Sequence, residues 1–211
     1  MRRERGFNLV EMLVVLAIMA ILLGLGLPSY RTYMANQKVL STAEVFMAGL
    51  QMARAEAVKL NQRVEFLLTD DAPTPASVDT ATTSTTGRNW IVRGLANAVA
   101  ADVPVRAVAP GGNTFVEGKS GAEGSGAATS AASAIGVTGS IATITFDGFG
   151  MPVGLTATAT FQFSNPTAGA CATSGGGGGP IRCLVVRISR GGQTRLCDPA
   201  VPATDTRSCG A

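Results

Sequence analysis

The chain has 211 residues, of which 46% are hydrophobic and 15% are charged, and its mean hydropathy of +0.28 is high for a soluble protein. It contains no histidine, so the most common general base and the most common metal ligand are both absent from the sequence. We therefore expect neither an enzyme nor a cofactor. The net charge is +3, but without residues 1–6 the chain has 14 basic and 13 acidic residues, which does not support a general basic attraction to nucleic acid, so any such binding must be local.

Apolar residues are concentrated near the N-terminus. A short basic segment, MRRERG, is followed by 21 residues, Phe7 to Leu27, in which only Asn8 and Glu11 are polar. A helix of this length spans about 31 Å, enough to cross the hydrocarbon core of a bilayer. The alternative is a cleaved secretory signal peptide, but the run is longer than a typical signal core and no small-x-small cleavage site follows it. We expect a single membrane-spanning helix.

The residues around Gly6 resemble a processed leader. The segment G-F-N-L-V-E is similar to the class III leader of type IV pilins and type II secretion pseudopilins, usually G-F-[ST]-L-[IVL]-E, with Asn8 at the Ser/Thr position. The resemblance implies that a prepilin peptidase cleaves after Gly6 and methylates the new amine of Phe7. It also implies a single-pass inner-membrane protein that later joins other major or minor pilins or pseudopilins in a periplasmic or extracellular filament.

Glu11 places a carboxylate in the apolar segment. An unpaired carboxylate at membrane depth is costly, and the available partner is the amine of Phe7, in the same chain or in a neighbouring one. Pairing between subunits would set the axial register of a helical bundle, so we assign Glu11 to assembly. The alternative is a hydrated Glu11 at the bilayer interface.

Gly24, Gly26 and Pro28 come at the end of the apolar segment. Because glycine lowers helix propensity and proline removes a backbone hydrogen bond, we predict a kink or local melting of the helix at these residues. The alternative is an ordinary helix end at Pro28, but helical spacing resumes directly beyond it.

From Ser29 to Arg63, apolar residues recur at three- and four-residue steps, which predicts a helical stripe that docks on a domain. We expect residues 8–62 to form one bent helix of about 80 Å. The predicted docking face comprises Leu40, Ala43, Phe46, Met47, Leu50, Ala53, Ala57 and Val58. The opposite, solvated face comprises Lys38, Glu44, Gln51, Arg54 and Lys59.

Beyond Val64 the sequence changes to short runs rich in β-branched and aromatic residues, which predict the strands of an antiparallel sheet. The runs are VEFLL, NWIVRGL, VPVRAVA, IATITFDG, TATFQF and IRCLVVRIS. Three intervening segments, 70–87, 118–136 and 168–180, are rich in small and turn-forming residues, and we expect them to be mobile loops.

Four segments resemble the GspH/FimT family of minor pilins and pseudopilins. They are Leu50–Val64, ITFDGFGMP at Ile144–Pro152, RCLVVRIS at Arg182–Ser189 and RLCDP at Arg195–Pro199. The resemblance implies a pilin-like α+β fold, in which a long N-terminal transmembrane helix packs against an antiparallel β-sheet head. The expected organisation is a cleaved leader at 1–6, a transmembrane and filament-core helix at 7–28, an amphipathic continuation at 29–64 and a β-rich head at 65–211.

The last hairpin predicts a local basic cluster. With Arg190-Gly191-Gly192 as a three-residue loop, Val186 is opposite Leu196 and Arg187 is opposite Arg195. The alternation directs Leu184, Val186, Ile188 and Leu196 inward and the arginines to the other face.

Arg187, Arg190 and Arg195 are therefore candidate DNA contacts. The branch of the family used in natural transformation carries a G-R-x-R tail motif, and this chain has G-Q-T-R ending at Arg195. The alternative is a solvated sheet face, or pairing of these arginines with Asp198 and Asp205.

Four cysteines, Cys171, Cys183, Cys197 and Cys209, lie in the last 41 residues without C-x-x-C spacing. This favours two disulfides and an oxidising compartment over a zinc site. Three pairings are possible. Because Cys197 faces Val185 in the predicted hairpin and is offset from Cys183, we favour Cys171 with Cys183 and Cys197 with Cys209.

These observations predict a minor pilin of a type IV pilus, a structural or priming subunit of the filament or its tip, with DNA binding in natural transformation as an added role. One alternative is a minor, H-type pseudopilin of a type II secretion system. A second is a DNA-binding module displayed on a pilus. An enzyme is the weakest hypothesis, because the sequence has neither a serine-nucleophile motif nor a metal-ligand cluster.

Overall fold

The computed structural model describes residues 8–95, 114–120 and 135–210. Within these ranges the chain forms a long α-helix, α1 (Leu9–Leu60), followed by a β-rich head. The strands are β1 (Val64–Thr69), β2 (Asn89–Gly94), β3 (Thr114–Ser120), β4 (Gly136–Gly139), β5 (Thr143–Phe146), β6 (Ala159–Ser164), β7 (Leu184–Ile188) and β8 (Thr194–Cys197), with a short 3₁₀ turn at Pro75–Ser77. The architecture is the predicted α+β plan of a long N-terminal helix packed against antiparallel strands.

Helix α1 has 52 residues, which corresponds to a length of about 78 Å. The side chain of Asn8 caps its start by accepting a hydrogen bond from the backbone N–H of Val10. The helix ends at Leu60 because Asn61 adopts a left-handed conformation, φ 48°, and its N–H donates to the last-turn carbonyls. The predicted boundary at residue 64 is therefore late, since Val64 already belongs to β1.

The backbone of α1 is helical throughout residues 24–28. The local melting predicted at Gly24, Gly26 and Pro28 is therefore absent here, and the kink remains a prediction.

The buried face of α1 begins at Ala35 and continues at helical spacing to Ala57, with Val39 added to the predicted stripe. For two residues, the sequence predicts the wrong face of the helix: Val58 was expected on the docking face and Arg54 on the solvated face. Val58 is 51% exposed, and Arg54 is half-buried, because its guanidinium reaches the backbone of the last hairpin.

The head contains two antiparallel sheets instead of the single predicted one. The first has strand order β3-β2-β1-β5 and the second β4-β6-β7-β8. The chain crosses from the second sheet to the first between β4 and β5 and returns before β6. Strands β3 and β4 were not predicted, and the predicted strand VPVRAVA lies outside the described residues.

Phe46 joins the helix to both sheets. Its ring lies 4.8 Å from that of Phe66 in β1, and 4.9 and 5.1 Å from those of Phe161 and Phe163 in β6. All four side chains are buried. Aromatic pairs at these distances add to the stabilisation from burial, so one side chain of α1 fixes the helix to the two sheets together.

Two of the three segments expected to be mobile have fixed internal hydrogen bonds. In segment 70–87, Asp71 Oδ2 accepts from the N–H of Thr82 (2.7 Å) and from its hydroxyl (2.9 Å), and these bonds lower the pKa of the Asp71 carboxyl. Segment 168–180 is tied by a disulfide at Cys171 and a bridge between Ala172 and Gly178. Segment 118–136 lies mostly outside the described residues.

Candidate functional site

The N-terminal part of α1 is apolar and has no packing partner within the described chain. The described large hydrophobic side chains from Leu9 to Leu27 are 50–74% exposed. Helix α1 is long and apolar enough to cross a membrane, and its most apolar stretch has no buried residue in the described structure. This segment is therefore not a core helix of the head, since the first buried residue of α1 is Ala35.

Glu11 lies in the first turn of α1, where the helix dipole favours a negative charge. It is exposed, and its backbone N–H donates to the carbonyl of Asn8 at 3.0 Å. The next charged residue along the helix is Arg31, about 30 Å away. A basic partner for Glu11 must therefore come from the N-terminus or from another chain. Gly6 and Phe7 lie outside the described residues.

Three polar contacts fix the head along α1. Near its first buried turn, the side-chain oxygen of Asn36 accepts a hydrogen bond from the N–H of Arg182 at 2.8 Å. Farther along, the guanidinium of Arg54 donates to the carbonyl of Gly192 at 3.2 Å, and the amide of Gln51 donates to the Thr194 hydroxyl at 3.5 Å. Strand β7 therefore runs beside the helix, away from the apolar segment. We call the Arg182 end of the head its near end and the Gly192 end its far end.

The last hairpin has the predicted register. Val186 pairs with Leu196 and Arg187 with Arg195. The loop is closed by a hydrogen bond from Ser189 N–H to the carbonyl of Gln193. Gly192 supplies the left-handed residue, with φ 75°, which a non-glycine residue adopts only with strain.

Two of the three candidate DNA-binding arginines are engaged within the chain. The guanidinium of Arg187 donates to the carbonyl of Cys209 at 2.6 Å. Arg195 donates to the carbonyls of Thr206 and Ser208, at 2.5 and 3.3 Å. Arg190 is exposed in the loop, and within the described part of the chain its guanidinium has no hydrogen-bond partner, which distinguishes it from the other two.

The alternative pairing of these arginines with Asp198 and Asp205 is wrong. Asp198 binds Arg182 and Asp205 binds Arg207. Carbonyl oxygens of residues 206–209 satisfy the two facing guanidinium groups instead, which relieves the unfavourable juxtaposition of like charges. Local sequence carries no signal for these contacts, because they join residues 11–22 positions apart in a segment without periodicity.

The disulfides join Cys171 to Cys183 and Cys197 to Cys209, which is the pairing that the sequence favours. The first closes the glycine-rich segment onto the start of β7, and the second attaches the C-terminal segment to the end of β8. The second disulfide therefore holds the carbonyls that Arg187 and Arg195 bind. Within the described ranges, no group of three or more His, Cys, Asp or Glu side chains has an arrangement that would hold a metal ion.

Two solved structures are similar to this chain. Both are crystal structures of the type IV minor pilin FimU of Pseudomonas aeruginosa (strain PAO1), in two crystal forms. The first is 18% identical, with a TM-score of 0.45, over 78% of this chain and 91% of that chain. The second is 18% identical, with a TM-score of 0.41, over 74% of this chain and 90% of that chain. No match was found among curated protein sequences.

Two family models match the sequence. The model described as type II transport protein GspH matches residues 42–199. The model of the prokaryotic N-terminal methylation motif matches residues 1–27. Because the first model spans most of the chain, including most of the docking half of α1 and all of the described strands, this chain belongs to the GspH family, a structural family of minor type IV pilins and pseudopilins that assemble with other such subunits.

Proposed function

We propose that this chain is a minor pilin of a type IV pilus, a structural or priming subunit that leaves the inner membrane to enter the filament. The observation that carries the proposal is the division of α1 into two halves. The half from Ala35 onward is buried against the head, whereas the apolar half that ends at Leu27 has no partner in the described chain. An apolar surface of this size requires either lipid or other helices. Filament assembly would move this apolar surface out of the lipid and into contact with the helices of other subunits.

In this proposal, Gly6 and Phe7 are the sites of prepilin peptidase cleavage and N-methylation, and Glu11 is the assembly residue. Cleavage would create a positively charged amine about one helical turn before Glu11. A carboxylate moved into a helical core needs a charged partner. Pairing with the Phe7 amine of a neighbouring subunit would meet that need and would also fix the axial step between subunits.

Replacement of Glu11 by leucine tests this assignment. We expect the E11L protein to reach the membrane at the normal level and to be missing from sheared filaments, because the membrane requires no ion pair whereas assembly does. Glu44→Leu is the matched control, since Glu44 is exposed on α1 beside the head, and it should enter filaments normally. Incorporation of E11L at the wild-type level would contradict the proposal.

A minor pseudopilin of a type II secretion system is the alternative, because the same helix would serve either filament. Deletion of the gene separates the two. Loss of pili with intact protein secretion supports the pilin, and retained pili with an exported enzyme trapped in the periplasm supports the pseudopilin.

Display of a DNA-binding site is a further alternative. It would rest on Arg187, Arg190 and Arg195, but the first and last already donate to carbonyls of the chain. Few phosphate contacts give weak, salt-sensitive binding. The hairpin therefore supports a structural role for two of the three arginines, and Arg190 is the residue with which to test DNA binding.

A further inference from the structure

The near end of the head lies very close to the end of the apolar segment. The segment from Leu9 to Leu27 has 19 residues, or about 28 Å of helix, which matches the hydrocarbon core of a bilayer. The first buried residue of α1, Ala35, comes only eight positions later, or about 12 Å. Because the headgroup layer on each side of a bilayer is about 5–7 Å thick, about 5–7 Å remains between that layer and the head. An extended arginine side chain can cross a gap of this size.

The residues in this interval have the chemistry of a membrane interface. Tyr30 and Tyr33 are 61% and 57% exposed, and aromatic residues of this kind are enriched at the headgroup level of membrane proteins. Arg31, also exposed, precedes Ala35 by four positions. It therefore lies on the same helix face as Ala35, beneath the head.

Arg182 adds a second cation at the near end of the head. Its backbone N–H is fixed to Asn36, which lies one turn above Tyr33 on the same face of α1. Its guanidinium Nε donates to Asp198, which is buried, while the arginine side chain remains 49% exposed. Within the described part of the chain its two terminal nitrogens have no hydrogen-bond partner, so both can donate to an oxyanion.

We propose that the near rim, defined as Arg31, Tyr33 and Arg182, binds phospholipid headgroups, with the two arginines donating to lipid phosphate oxygens. Before assembly, the head therefore contacts the membrane surface on its own side of the bilayer. The interval of α1 between Leu27 and Ala35 is too short to hold the head away from that surface. Entry into a filament then requires the loss of these headgroup contacts as well as extraction of the apolar segment. This inference rests on the membrane-anchored state of the proposed function.

Paramagnetic relaxation in lipid nanodiscs tests the proposal. The full chain, labelled with ¹⁵N, is placed in phosphatidylcholine nanodiscs that contain a lipid with a nitroxide on its headgroup. We expect strong broadening of the amide signals of Asn36 and Arg182, and little broadening of Gly191 and Gly150 at the far end, where Gly150 lies beside Arg54 and Gly192. Equal broadening at the two ends, or none at either, would overturn the proposal. Flotation of the chain with vesicles reports insertion separately, so a failure of the membrane anchor is distinguished from a failure of the headgroup contact.

A pair of variants tests the two arginines. Combined Arg31→Gln and Arg182→Gln should weaken the broadening at positions 36 and 182, because the head loses its headgroup contacts, although the short helix still keeps the near end closer to the membrane than the far end. Arg31→Gln alone leaves the pair of Arg182 with the buried Asp198 intact and should weaken the broadening in the same direction. The matched control, Lys59→Gln with Arg190→Gln, removes the same charge from exposed residues at the far end and should keep the wild-type broadening. Wild-type broadening at positions 36 and 182 in both arginine variants would show that the arginines do not hold the head at the membrane and would overturn their assignment.

Discussion

Gly49 of α1 lies directly against the indole ring of Trp90 in β2. A β-carbon at position 49 would be 2.7 Å from a ring carbon of Trp90, which is too close for any side chain. Trp90 is itself buried and stacks on Phe66, with ring centroids 5.2 Å apart. The absence of a side chain at position 49 therefore sets how closely the helix approaches the first sheet.

Gly49→Ala should lower the free energy of unfolding by about 1–3 kcal/mol, because overpacking forces the helix and the indole apart. The loss is expected although alanine is the better helix former by about 1 kcal/mol. Denaturant unfolding of the full chain in detergent, followed by Trp90 fluorescence, measures it. Gly191→Ala is the control, since its β-carbon would lie 3.9 Å from the nearest atom, and equal stability of the two variants would contradict the packing argument.

Arg187→Ala should lower the free energy of unfolding by about 1.5–3 kcal/mol, the range for a hydrogen bond to a charged group. Its half-buried guanidinium holds the carbonyl of Cys209. Arg190→Ala should change stability by less than about 0.5 kcal/mol, because Arg190 is an exposed loop residue. Retention of duplex DNA at two salt concentrations can then be compared between the wild type and R190A without a folding defect. A stability loss in R190A as large as that in R187A would refute this division of roles.

The ion pair between Glu65 and Arg93 joins β1 to β2, and both side chains are only 14% exposed. Arg93→Ala leaves the Glu65 carboxylate nearly buried without its partner, and we expect a loss of about 3–5 kcal/mol in unfolding free energy. Lys59→Ala breaks the pair with Glu56, in which the lysine is 69% exposed, and should cost less than about 1 kcal/mol. Chemical unfolding of both variants measures the two losses of unfolding free energy. Similar losses would contradict the expectation that burial makes the Glu65–Arg93 pair the more important one.

Asp205 should titrate with a depressed midpoint. Hydrogen bonds from the guanidinium and the backbone N–H of Arg207 lower the pKa of this carboxyl from 3.8 to about 2. Since the folded pKa lies below the unfolded one, the stabilising contribution is complete above the unfolded value and is lost as the pH falls through about 2. Carboxyl NMR signals followed through acid titration measure the midpoint, and Arg207→Ala should raise it toward 3.8. A wild-type midpoint already near 3.8 would contradict the contact.

The parts of the fold that sequence predicts well are governed by local spacing. The stripe on α1 follows helical periodicity, and the hairpin register follows from the left-handed glycine at position 192. Strand β4 was missed because GVTG is short and begins and ends with glycine, and it is a strand only through its pairing with β6. The order of segment 70–87 depends on Asp71 contacting Thr82, eleven residues away.

The candidate site divides in the same way. The apolar segment can be identified from sequence because its exposure to water is unfavourable unless lipid or other helices cover it. Glu11 can be identified because a carboxylate within such a segment is unfavourable without a charged partner. The roles of Arg187 and Arg195 cannot be identified from sequence, because their partners are backbone carbonyls of a C-terminal segment that a disulfide positions.

Mass spectrometry of the protein isolated from cells tests the central claim most directly. The account predicts a chain that begins at a methylated Phe7 and retains the whole apolar segment. A chain that still carries residues 1–6, or one that has lost residues 7–27 together with them, would contradict the transfer of this helix from membrane to filament.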